Sequence, residues 1–228
     1  MFLQHYTTFL EVIKLPRARL CFSQQIDAVD IKATYRNYTK PHPRFKIIRH
    51  KTIGAALVDL AQFPDGQAYL EHIKGKNQGG YHAKRARSRG YVVREIDRNE
   101  HVDDIHDINT SQDVRQGRKM DQKYLEKQER FERQRHFHYW GAFSPQGKLV
   151  AYATLGIYGN FASFSQMMGI RNNDGIMHLL VSEAVCRLID AGKVRYVMYD
   201  TFFGAQSGLR NFKTILGFRP YRASYHLQ

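Results

Sequence analysis

Phe161-Ala162-Ser163-Phe164-Ser165-Gln166-Met167-Met168-Gly169-Ile170-Arg171-Asn172-Asn173-Asp174-Gly175-Ile176-Met177-His178-Leu179-Leu180-Val181-Ser182-Glu183-Ala184-Val185-Cys186-Arg187-Leu188-Ile189-Asp190-Ala191-Gly192 carries the decision about the fold. Phe161 to Met168 has the composition of a strand. Met177, Leu180, Val181, Ala184, Val185, Leu188 and Ile189 recur every three or four residues, which predicts a helix with one apolar face, and Gly192 ends it. Between the two lies a polar loop that delivers the chain from strand to helix. A helix N-terminus placed this way exposes unpaired N–H groups and the positive end of the helix dipole, so Arg171 to Gly175 reads either as a phosphate cradle or as an Asn173 or Asp174 cap. An aspartate at the cap would repel a pyrophosphate unless it turned away.

Upstream, His138 to Phe143 and Leu149 to Ile157 flank Ser144-Pro145-Gln146-Gly147, which is turn chemistry and predicts a hairpin. With Phe161 to Met168 this makes a three-stranded meander. Downstream, Val194 to Tyr199 reads as a strand, Ser207 to Ile215 as a helix and Arg219 to His226 as a last strand. Before the meander, Ala83 to Ser88 reads as a basic helical turn, Tyr91 to Ile96 as a strand, and Asn99 onward as a helix with Val102, Ile105 and Ile108 on its apolar face. Asp121 to Arg135 reads as a charged helical run. Nearer the start, Arg44 to Ile48 is a candidate strand. Ile53, Ala56, Leu57 and Leu60 form a helical stripe, and Tyr69, Leu70 and Ile73 mark a second short helix. The glycine-containing basic loop Lys74 to Gly80 suggests a boundary. The expectation is an α+β protein with a small α/β extension over residues 1–76 and the main domain over 77–228.

The chain of 228 residues holds 35 Lys and Arg against 21 Asp and Glu, a formal charge of +14, with 43% hydrophobic residues. That apolar content excludes whole-chain disorder. No stretch is apolar for long enough to span a membrane, and the start lacks the form of a secretory signal, so a soluble cytoplasmic protein is expected. Cys21 and Cys186 form no C-x-x-C pair, and Cys186 falls inside the apolar helix, where it reads as a core residue. The histidines form no H-E-x-x-H, so no metal is expected. Between Lys74 and Arg94 stand seven basic residues and no acidic one. A polyanionic partner, DNA or tRNA, is the expectation that clustering raises, against the alternative of basic residues that serve solubility.

The order strand, helix, helix, three strands, helix, strand, helix, strand from Tyr91 onward resembles that of the GNAT acyltransferase superfamily. Tyr81-His82-Ala83-Lys84-Arg85-Ala86-Arg87-Ser88-Arg89-Gly90-Tyr91-Val92-Val93 resembles the RN-x-x-KA-x-x-x-G-V segment of the Fem-type peptidoglycan aminoacyltransferases. Gly208-Leu209-Arg210-Asn211-Phe212-Lys213 with Gly217 resembles their closing G-L-x-x-F-K-x-x-x-G motif. The likeness covers residues 77–227. It implies a central mixed, mostly antiparallel sheet flanked by helices, and transfer of an acetyl or aminoacyl group from acetyl-CoA or aminoacyl-tRNA to an amine. The pyrophosphate loop of ordinary acetyl-CoA enzymes is replaced by Gly169 to Gly175, as in the Fem type.

The resemblance also places the cleft where the fourth and fifth strands splay, which makes Gln166, Ser165, Tyr199, Asp200 and Thr201 the candidates there. Acyl transfer needs a group to take the amine proton and a donor for the oxyanion. Asp200 is the candidate base or amine ligand. Tyr199 is the candidate leaving-group donor, although strand alternation sets the two on opposite faces. Gln166 completes the catalytic set. Arg171, Asn172, Asn173, Gly175 and Asn211 are the donor-binding candidates. Arg115, Arg118, Lys84, Arg85, Arg87 and Thr201 are those for the acceptor, such as a modified base in DNA or tRNA. Two other readings stay open: a non-catalytic nucleic-acid-binding module, and a cell-wall-type aminoacyltransferase acting on a peptide precursor.

Overall fold

The computed structural model describes residues 14–43, 46, 48–115 and 118–228; the candidate strand Arg44 to Ile48 lies mostly outside them. The main sheet has eight strands: β1 Arg17–Phe22, β2 Ile53–Asp59, β3 Val92–Glu95, β6 Phe137–Phe143, β7 Leu149–Ile157, β8 Phe161–Gly169, β9 Tyr196–Thr201 and β10 Arg219–Leu227. Two-residue strands β4 (Val114–Arg115) and β5 (Arg118–Lys119) form a separate small hairpin. The helices are α1 Ala28–Thr39, α2 Gly66–His72, α3 Gly79–Ser88, α4 Val102–Thr110, α5 Gln122–Leu125, α6 Ile176–Ala191 and α7 Ser207–Ile215. The sheet order is β1-β10-β2-β9-β8-β7-β6-β3. Among the described residues, β1 with β10 and β8 with β9 are the parallel pairs, so the sheet is mixed and mostly antiparallel as expected.

The meander β6-β7-β8 forms as its pattern predicts, and α6 follows it with Gly192 ending the helix at φ 63°, a left-handed turn that glycine adopts without steric cost. One apolar face of α6 packs with Tyr69, Ile73, Trp140, Leu155, Val197 and Phe218 on one side of the sheet. The other side is covered around Phe22, Ile31, Tyr38, Phe161 and Tyr225 near α1, and around Ile105, Ile108, Phe143 and Tyr152 near α4.

Three expectations change. Residues before 77 are not an extension beside the domain, because β2 inserts between β9 and β10 and β1 extends the same sheet. The expected helix at Ile53 to Leu60 is β2 followed by a single 3-10 turn: Gly54 to Val58 are all buried, and a strand covered on both faces shows no alternation to distinguish it from a helix. The charged run after Asp121 is helical only over Gln122–Leu125, since its Lys, Arg and Glu residues supply no continuous apolar face to bury.

Candidate active site

β8 and β9 pair only from Phe161↔Tyr196 to Ser163↔Met198 and then part. β8 stays hydrogen-bonded to β7 as far as Gly169, with a register shift at Thr154/Leu155, while β9 follows β2, itself bulged between Ala55 and Leu57. Bulges bend strands, and here they lie beside the gap. Three adjoining cavities run through it. One of about 420 Å³ lies at the start of α6, one of about 200 Å³ shares Gln112, Met177 and Phe212 with it, and one of about 490 Å³ shares Met167, Tyr199 and Leu209 with the second. The last opens beneath α1, where Asn37 and Tyr38 line it. The gap thus connects the α6 side of the sheet to the α1 side.

Where the strands part, Lys213 of α7 is 1% exposed and donates from Nζ to the Thr201 carbonyl at 2.7 Å. Its ammonium lies 4.7 Å from the Tyr199 ring centroid. Burial pushes its pKa down to about 8; Asp200 opposes that shift and Lys51 adds to it. Lys51, on the facing wall, keeps a pKa above the ordinary lysine value. Burial would lower it, but Tyr38 and Asp200 outweigh burial. The Lys51 Nζ is 3.1 Å from Asp200 Oδ1 and 4.6 Å from the Tyr38 ring. Both Lys51 (φ 58°) and Asp200 (φ 52°) have left-handed backbone, a conformation uncommon for residues with a Cβ and enriched at functional sites.

Asp200 and Tyr199 both line the cavity beneath α1, and alternation divides them as expected. Tyr199 packs with Phe164, Phe212 and Phe218 on the α6 side, while Asp200 is exposed. Gln166 reaches the same cavity and donates from Nε2 to the Tyr152 hydroxyl at 2.9 Å, which itself donates to Asn109 Oδ1 at 2.7 Å. A buried Tyr152 and Asn109 therefore fix the Gln166 amide, leaving its carbonyl oxygen for the cleft. Thr201 contributes its backbone carbonyl, to Lys213.

At the α6 end, neither Asn173 nor Asp174 caps the helix. Gly175 occupies that position at φ 89° with no side-chain bond to the first turn, and a Cβ there would meet the His82 carbonyl at 2.3 Å. Asp174 turns away, paired with Arg89 and accepting from the Tyr91 hydroxyl at 2.7 Å, and its own N–H is held by Asn172 Oδ1 at 3.1 Å. The carboxylate that would have repelled a phosphate is thus drawn off by an arginine. Arg171 is exposed on the cavity wall with Asn172 and Asn173. His178 on the same wall is neutral at pH 7, its pKa lowered to about 4 by burial, then by His82 and Arg85.

The basic run has a structural use. Arg85 donates to the Asn173 carbonyl, Arg87 pairs with Glu183 and Arg89 with Asp174, so three of its arginines join α3 to α6 and the loop before it. Lys84 remains exposed. Asn211 is exposed on α7 and lines none of the three cavities, so it leaves the donor set; its neighbours Phe212 and Lys213 point inward instead. Arg115 and Arg118 sit on the small hairpin, and their side chains lie outside what is described. Cys186 is buried against the Gly66 carbonyl, with its thiol pushed up to about 12 by burial, the inert core cysteine expected.

Lys213 was absent from the candidates, yet a signal was present. Leu209, Phe212, Lys213 and Leu216 share one helical stripe, and a lysine in an apolar stripe is costly to bury without a use.

No family model and no curated protein matches the sequence. Among solved structures, FemX superposes with a TM-score of 0.57 at 10% identity, over 86% of this chain and 66% of that one. The C-terminal domain of a protein described as a lysylphosphatidylglycerol synthetase, from Agrobacterium fabrum, gives 0.50 at 17% identity, over 74% and 58%. A tandem GNAT protein from the clavulanic acid biosynthesis pathway gives 0.45 at 19%, over 74% and 51%. This chain therefore spans between about half and two thirds of the length of these structures. The fold is the GNAT fold. Within it, the chain is similar to FemX over most of its length.

Proposed function

We propose that the protein is an acyltransferase that moves an acetyl or aminoacyl group from a phosphate-bearing carrier, acetyl-CoA or aminoacyl-tRNA, to an amine. The observation that carries this reading is Lys213, buried at the parting of β8 and β9 with a pKa of about 8 and one of its three N–H donors spent on Thr201. Mostly protonated at pH 7, it can place a second donor on the oxygen that becomes negative when an amine nitrogen attacks the acyl carbon. Asp200, ion-paired with Lys51 before the reaction, takes the proton that the ammonium must lose before attack and passes it to solvent from its exposed side, which restores the ion pair. Gln166, fixed by Tyr152, accepts from the incoming N–H. Collapse of the tetrahedral species breaks the bond to the carrier, whose departing atom takes up the proton released by the amine.

The uncapped start of α6, Arg171 and the diverted Asp174 suit the phosphates of either carrier. The acceptor amine would enter beneath α1. A nucleic acid, as acceptor or as the carrier of the donor, and a peptide precursor belong to this proposal as the acceptor classes to compare. Incubation with labelled acetyl-CoA, or with tRNA charged with a labelled amino acid, against nucleic acid, peptides and small amines should yield a labelled acceptor with one carrier only. No labelled product with either carrier would sink the reading.

A further inference from the structure

Beside the C-terminal half of α6, away from the helix start that lines the transfer cleft, lies a separate cavity of about 340 Å³. Its floor is apolar: Trp140 of β6, Leu155 of β7, Leu188 of α6 and Val194. Trp140 is 6% exposed, and among the described residues its buried indole N–H has no hydrogen-bond partner. Native cores rarely leave such a donor unmet. The Arg187 guanidinium lies over the Trp140 ring, 4.8 Å from its centroid, a stacking that holds the fork flat and keeps its N–H groups available. Lys193 stands on the same rim.

The rim also carries two carboxylates, Glu95 and Asp190, each held by a partner other than these cations. Glu95 is engaged by His138 Nδ1 at 2.6 Å, and Asp190 accepts the Gly66 N–H at 2.8 Å. Among the described residues, neither Arg187 nor Lys193 has a carboxylate within ion-pair distance. An apolar floor beneath two cations that are free of ion pairs suits a molecule with an apolar body and an anionic head. We propose that this cavity binds a small amphipathic monocarboxylate, its apolar body against Trp140, Leu155 and Leu188 and its carboxylate on Arg187 and Lys193.

Trp140 is the only tryptophan of the chain, so its fluorescence reports on this cavity and nowhere else. Titration of the full chain with octanoate should give a saturable change in that fluorescence. Octanol, with the same body and no charge, should bind at least about tenfold more weakly, as expected for the loss of a charge-assisted hydrogen bond. Lys193→Glu, at an exposed position, should abolish the octanoate response with the thermal melting midpoint unchanged, and Arg187→Glu should do the same. Octanol binding as tightly as octanoate, a response that survives Lys193→Glu, or no saturable response to octanoate would each overturn the proposal.

Discussion

Two lysines face the same cavity from opposite walls, and the fold treats them in opposite ways. Lys51 has a carboxylate partner, Asp200, and an aromatic face, Tyr38, and its proton is held more tightly than in water. Lys213 has a backbone carbonyl and an aromatic face, and burial loosens its proton. The difference shows that a buried cation keeps its ordinary character only where a full opposite charge accompanies it. Where the direct contact is a dipole and the carboxylate acts only through space, the protonation equilibrium moves into the range in which chemistry is run.

Removing the loosely held lysine should have the largest effect. Lys213→Met is expected to lower kcat on the order of a hundredfold or more, the usual consequence of deleting an oxyanion donor, with little change in KM. The same substitution should not lower stability in proportion. The wild-type shift from 10.5 to about 8 corresponds to about 3 kcal/mol of cost for holding the charge when the protein is below pH 8. Denaturant unfolding at pH 7 should therefore find Lys213→Met as stable as wild type or more so. A loss of several kcal/mol would show Lys213 to be structural.

Asp200→Asn breaks the comparison from the other wall. It removes the proposed base, and it removes the charge that supports both lysines, so kcat should fall about tenfold or more. With Lys213 acting as its ammonium form, wild-type activity declines as pH rises through about 8. In Asp200→Asn that alkaline limb should move lower, because Asp200 raises the Lys213 pKa. In Lys51→Met it should move higher, because Lys51 lowers it. Limbs that shift together, or a limb that rises with pH, would remove Lys213 from the role assigned to it.

A smaller effect is expected on stability. The folded Lys213 has a lower pKa than the unfolded one, so between about 8 and 10.5 the unfolded chain binds a proton that the folded chain has released. Stability contributed by this group therefore rises with pH across that window. The difference in melting midpoint between wild type and Lys213→Met should move in favour of wild type from pH 7.5 to pH 10. Smallest of all, Tyr152→Phe frees the Gln166 amide and should raise KM for the amine several-fold while leaving the alkaline limb in place.

Much of the fold was legible because the segment from β6 to α6 declares itself locally: turn chemistry at Ser144 to Gly147, strand composition, then a clean helical period. β1 and β2 do not. β2 has no alternation because both its faces are buried, and its place between β9 and β10 is decided by residues more than a hundred positions away. The site divides in the same way. Asp200, Tyr199 and Gln166 follow from where the splay must lie, and they do meet at one cavity. Lys51 was hidden because it joins them only through the insertion of β2, and the destination of Arg85, Arg87 and Arg89 was hidden because Glu183 and Asp174 lie in another segment.

The pairing of β1 with β10 sets a condition on the order of folding. Arg17 finds its neighbour only at Arg222, and Ala55 only at Thr201 and Tyr221. Contacts this far apart close the largest loops a chain of this length allows, and their entropy must be met before the pairing repays it. The meander and α6 can assemble from neighbouring sequence, whereas the wall that carries Lys51 is built last. Refolding should show native-like helix and hairpin signals before the Lys51 to Asp200 contact forms, and activity should return with the slow phase.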